Sequence, residues 1–94
     1  MSKMIVSSGG IDQNYRVLGL VVGFASDTEG CSGGIAVENT YQSALKRLME
    51  SASAQGANGL LYVNFQNRFA ATGGCSGPKQ AFEVFAWGTA VQLA

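Results

Sequence analysis

The chain has 94 residues, 47% of them apolar and only 13% charged, with six Lys/Arg balancing six Asp/Glu. That length makes one domain, residues 1–94, and the charge balance leaves no basic stripe to hold a phosphate backbone, so nucleic-acid binding is not expected. Histidine is absent, which removes Ser–His and Cys–His catalysis and histidine-based zinc sites from within the chain.

The first residues, Met1-Ser2-Lys3-Met4-Ile5-Val6, begin like a signal peptide. The apolar run then stops at Ser7-Ser8-Gly9-Gly10, too short for a signal core. No stretch approaches membrane-spanning length. A cytoplasmic protein that does not touch membrane is the expectation. Residues 3–7 read as a short edge strand broken by Gly9-Gly10.

From Tyr15 to Phe24 both alternating sets are apolar: Tyr15, Val17 and Val21 on one, Leu18, Leu20, Val22 and Phe24 on the other. A strand of that kind needs cover on both sides. Gly19 and Gly23 suggest close approach of a helix or another backbone. Residues 25–38, rich in Ser, Asp, Thr, Gly and Cys, read as a loop.

Asn39 offers an N-cap, with Gln42 three residues on as a polar variant of the capping box. Tyr41, Ala44, Leu45, Leu48 and Ala52 then recur at helical spacing, with Gln42, Lys46, Arg47, Glu50 and Ser53 opposite. Gly56 stands where a left-handed residue ends a helix, and Asn58 reads as a local hydrogen-bonding residue at the helix–strand junction. A second long strand follows from Leu60 to Phe65. Residues 67–80, holding Gly73-Gly74, Gly77 and the single Pro78, read as a long loop. Ala81 to Leu93 is the third long strand, again apolar on both faces.

The order strand–helix–strand–strand makes the first two long strands parallel across a right-handed crossover. The third, the longest and most apolar, fits between them. The expected fold is α+β, one helix on a three-stranded mixed sheet in the order 1-3-2. One helix covers one face. The other apolar face needs a second subunit, and so few charges on so small a domain point the same way.

Leu18-Gly19-Leu20-Val21-Val22-Gly23, the helix with Ala44-Leu45 and Ala52, Gly56-Ala57-Asn58, and Gly88-Thr89-Ala90-Val91 together resemble the YbjQ-like family over roughly residues 5–93. These are small bacterial proteins that carry a heavy-metal-binding label. The resemblance implies a dodecin-subunit-like fold assembled into a ring, typically a pentamer, with short extra N-terminal strands that Met4–Ser7 would match. The segment Ala25–Gly34 is shorter and less charged than the family's usual one.

Gly30-Cys31-Ser32-Gly33 recurs as Gly74-Cys75-Ser76-Gly77, and these hold the only two cysteines. In the expected topology both loops leave the same end of the sheet, near the helix N-terminus, a position that lowers a thiol pKa. Four readings stand side by side: unrelated loop cysteines; a disulfide, which the cytosol disfavours; a soft-metal site; and a catalytic thiol, which has no histidine to activate it. Two thiolates do not close a tetrahedral site, so a metal ion would draw on Asp27 and Glu29 as well as Cys31 and Cys75, or on a neighbouring subunit.

Gly73–Gly77 leads into a strand rather than a helix and is not a P-loop. Trp87 and Tyr62 are candidates to stack on a flat ligand, although strand residues of this type are more often core or interface. Arg16 and Arg68 read as solvated or at an interface. No acid–base constellation is visible. A homo-oligomeric binding or assembly module is therefore expected rather than an enzyme, with a thiol-based redox or soft-metal-handling protein as the alternative.

Overall fold

The computed structural model describes residues 4–28, 37–74 and 77–94. In chain order these form β1 (Ile5–Val6), β2 (Tyr15–Thr28), α1 (Val37–Ala54), β3 (Gly59–Gly74) and β4 (Gly77–Leu93). The helix starts two residues before Asn39, which therefore lies inside the first turn and does not cap it. Glu38 instead places its negative charge in that turn, where the helix dipole favours it.

The helix ends as its sequence dictates. Gly56 has φ 85°. Its N–H reaches the carbonyl of Ser53 at 2.9 Å, and the Ala57 N–H reaches that of Ala52 at 3.1 Å. This is the Schellman pairing, made possible by the glycine. Asn58 then ties three elements together. Its Oδ1 accepts the Leu93 N–H at 2.7 Å. Its own N–H goes to Val91, and its carbonyl takes the Ile5 N–H.

The sheet has four strands in the order β1-β3-β4-β2, not three. The long strands keep the expected arrangement, with β4 antiparallel to both β2 and β3. The addition is β1, which runs parallel to β3 at Gly59 and Leu60, anchored by the Ile5 N–H to Asn58 and the Ser7 N–H to Leu60. The expected loops are also shorter. β2 continues through Thr28, and most of residues 67–80 is ladder: β3 and β4 stay paired out to Gly74↔Gly77. Cross-strand pairs explain this. Phe69 packs on Phe82 with ring centroids 5.0 Å apart, and Arg68 pairs with Glu83.

The result is elongated. The extents are 54 × 24 × 17 Å and the radius of gyration is 15.9 Å, against about 12 Å for a compact chain of this length. An 18-residue helix is about 27 Å long and spans half of the long axis.

The helix buries Thr40, Ala44, Leu48 and Ala52 against Val21, Ala25, Leu60, Val63, Phe82, Val84, Ala86 and Ala90. Small residues set the distance. A Cβ on Gly23 would lie 2.8 Å from both the Ala44 carbonyl oxygen and the Leu48 nitrogen, so glycine is required where the helix backbone meets β2.

Two bulges decide which residues share a face. The β2–β4 register slips between Val17 and Gly19, and Gly19 takes φ 152°. The β3–β4 register slips between Leu61 and Asn64, where Tyr62 takes φ 55°. Each slip swaps the alternation. Leu18 therefore joins Val21 on the helix side, whereas Tyr15 and Val17 join Leu20, Val22 and Phe24 on the other. The expected odd and even sets hold only beyond Gly19.

Candidate functional site

Of the four metal-ligand candidates, Asp27 is described; Glu29, Cys31 and Cys75 lie outside the described residues, and so does the expected meeting of the two cysteines. Asp27 sits one residue before the end of β2 and accepts the hydroxyl of Thr40, itself fully buried at the start of the helix. The N-terminal half of α1 thus lies beside the end of β2. Because β2 and β3 are both antiparallel to β4, the chain leaves both at the same end of the sheet. The β3–β4 ladder continues four rows past Thr28↔Ala81, about 14 Å at strand spacing. Among the described residues no three His, Cys, Asp or Glu side chains converge, so those residues alone do not make a metal site.

The face opposite the helix is the largest feature. Tyr15, Val17, Leu20, Val22 and Phe24 of β2, Tyr62 of β3 and Phe85 of β4 are all exposed there, Leu20 to 70% and Val22 to 64%. Phe24 and Phe85 pack together at 5.0 Å. Arg68 lies over Phe85 at 5.5 Å while paired to Glu83, which closes the patch on one side with charge. Arg16 donates to Gln92 at the other end. Both arginines are thus engaged on the surface, and Arg68 lies within β3 rather than near its end.

Tyr62 and Trp87 do not form a stacking slot. Trp87 is half-buried between Val22 and Asn64 in the ladder. Tyr62 turns its phenol onto Gly10, where a Cβ would sit 2.6 Å from its oxygen, and its backbone N–H is held by the Gly9 carbonyl. Its left-handed conformation, a costly one for a non-glycine residue, is fixed by that N-terminal segment. The Tyr62 phenol stands beside Tyr15. Its charge, some burial and a hydrogen bond raise the Tyr15 pKa above the ordinary 10.0.

A second concavity was not legible in the sequence. A groove of about 540 Å³ between α1 and β1 has Met4, Leu45, Met49 and Ala57 among its lining, with Gln42, Lys46, Glu50 and Ser53 around them. Leu45 and Met49 stand at i, i+4, a spacing compatible with this, but only the addition of β1 brings Met4 opposite them. No described helix is long and apolar enough to cross a membrane.

The model of a family described as "Putative heavy-metal-binding" matches residues 34–94. A solved structure of a protein of unknown function from Pediococcus pentosaceus ATCC 25745, a member of the DUF74 family, has the same fold. Its TM-score is 0.78 at 14% sequence identity, over 97% of this chain and 98% of that one. No curated protein matches.

Proposed function

The chain belongs to the YbjQ-like family, and from that premise we propose that it is a self-assembling binding module, not an enzyme, whose subunits meet through the sheet face opposite the helix. The observation that carries this is the extent of that face. Its seven exposed apolar residues leave on the order of 700 Å² uncovered, near the ~800 Å² per partner of a standard interface and above the largest patch of a typical monomer. Nothing else among the described residues covers it. In the ring of five copies implied by the family resemblance, this face would meet a different patch of the next subunit.

Light scattering and native mass spectrometry test this. The expected mass is a multiple of 9.8 kDa, with five copies in each ring if the resemblance holds. Leu20→Asp, which places a charge on the most exposed apolar residue of the face, is expected to lower that mass without loss of helical signal. A single 9.8 kDa species at micromolar concentration would overturn the proposal.

The metal reading keeps a narrower footing. The family description supports it; β2 and β3 leave the same end of the sheet, but β3 leaves about 14 Å beyond the end of β2. The donor set would be Asp27, Glu29, Cys31 and Cys75. Metal analysis of the protein as purified, beside a Cys31→Ser/Cys75→Ser variant, decides between soft-metal handling and thiols that hold nothing.

A further inference from the structure

The self-assembly reading concerns a face of the sheet; an edge of the same sheet adds a second contact that rests on that reading. We propose that the outer edge of β3, from Asn64 to Ala70, pairs antiparallel with the same edge of a second copy of the chain, making one continuous sheet across a two-fold axis.

The edge is open where its neighbours end. The N–H of Val63 points out of the sheet to the Ser7 carbonyl at 3.1 Å. The two-residue strand period then turns the backbone groups of Phe65, Asn67, Phe69 and Ala71 outward as well. β1 reaches only Gly59 and Leu60, so among the described residues no strand meets that set. The opposite edge of the sheet is different. There the helix lies close, and the carbonyls of Phe24 and Val22 accept Arg47 Nη1 at 2.6 Å and Ser51 Oγ at 3.5 Å. One edge is guarded by the helix and the other is not.

Residues 64–70 carry none of the usual guards against strand addition. They hold no proline, no lysine and no bulge. Their single charge, Arg68, is already engaged with Glu83 and Phe85.

The sequence of the edge is self-complementary in one register. Centring the pair on Asn67 sets Phe65 opposite Phe69 of the second copy, and Gln66 opposite Arg68 of the second copy. Phe65 and Phe69 lie on the helix side of β3, in contact with Tyr41 and Phe82, and stay 38% and 57% exposed because the helix sits over β2 and β4. That register pairs the exposed aromatic rings across the new strand boundary and keeps the two arginines from facing each other. A two-fold arrangement of one patch on itself is closed, so it links two copies and stops.

The test uses the whole chain with Cys31 and Cys75 replaced by serine. Asn67→Cys sets two sulfurs across the axis, with Cα atoms about 5.5 Å apart in an antiparallel hydrogen-bonded pair, within disulfide range. Mild oxidation is expected to convert most of it to a covalent dimer. Ser26→Cys on the guarded β2 edge is expected to form no covalent dimer under the same treatment. Asn67→Pro, which removes an outward N–H and leaves the β4 ladder its bonds, is expected to lower the native mass at least two-fold.

Failure of Asn67→Cys to cross-link in a protein that is assembled overturns the edge pairing and leaves the face reading standing. An Asn67→Pro protein of unchanged native mass does the same. A monomeric unsubstituted chain overturns both.

Discussion

On the helix side of the sheet, Val21 and Ala25 of β2 and Val84 and Ala86 of β4 expose 3% of their surface or less; one residue along each strand, Leu20, Val22, Phe24 and Phe85 keep 36–70% exposed. Both faces are apolar, and what the helix side has in addition is a set of small residues among its large ones. The helix side is built where Gly23, Ala25 and Ala86 meet Ala44 and Ala52, small residues that let two backbones approach and finish the contact within one chain. The open side carries branched and aromatic residues that stand away from the backbone. Such side chains gain only from a surface that brings its own shape, and large anchors of this kind dominate interfaces. A strand apolar on both sides therefore says that two covers are needed, and the sizes of its residues indicate which cover the chain supplies itself.

Substitutions at two nearby positions of β2 separate the two faces. Gly23→Val is expected to have the largest effect. Its new atoms would meet the helix backbone at Ala44 and Leu48, which cannot yield as a side-chain end can, and overpacking of this kind costs about 2–3 kcal/mol. In a domain of this size that is a fall of about 10–20 °C in Tm, read by thermal unfolding at one protein concentration. Leu20→Asp, three residues away and on the other face, is expected to change native mass instead. Equal thermal losses from both would mean that the open face is part of the fold and not a contact between subunits.

Much of this contrast was legible in the residues. The helical stripe, the Gly56 stop, Asn58 as a junction, and a β4 strand with two apolar faces all follow from local chemistry and period. What was hidden depends on partners. The slip at Leu18 moves Tyr15 and Val17 to the open face, a second slip at Tyr62 shifts β3, and no residue type at either point announces them; Gly19 is a permissive residue, not a signal. From sequence alone the β3–β4 arm reads as a loop, because Gly73, Gly74, Gly77 and Pro78 are turn formers. Its ladder is held by Phe69 on Phe82 and Arg68 on Glu83, pairs that exist only once the register is known. The short β1 was visible as an edge strand, but its place beside β3 comes from the Asn58 and Leu60 carbonyls. The candidate metal site was legible only as a repeated cysteine motif, and of its residues Asp27 alone is described.

The covered face also needs its cover to end in the right place. Gly56 has φ 85° and open space around its Cα: a Cβ added there would meet nothing within 4 Å. Any cost of substitution there is conformational and not steric. Gly56→Val is expected to lose about 1–3 kcal/mol, less than or comparable to Gly23→Val despite the same change of residue. Gly56→Asn, which tolerates the left-handed region, is expected to recover most of that loss in a thermal melt. An unchanged melting temperature for Gly56→Val would place the end of the helix elsewhere.

The smallest expected effect lies on the open face, at the Tyr15–Tyr62 pair. The Tyr62 phenol raises the Tyr15 pKa above 10.0, with burial and the hydrogen bond between them acting in the same direction. A group whose folded pKa is raised binds its proton more tightly folded than unfolded. Its contribution to stability is thus fully present below the unfolded value and is lost as pH rises through the folded one. The window lies at and above about pH 10. Tyr15→Phe keeps the ring, removes the proton and the hydrogen bond, and is expected to leave neutral-pH stability nearly unchanged because the group is solvated. Between about pH 9 and about pH 11 its melting temperature is expected to fall less steeply than that of the unsubstituted chain. Parallel alkaline slopes for the two proteins would mean that Tyr62 does not tighten the hold on the Tyr15 proton.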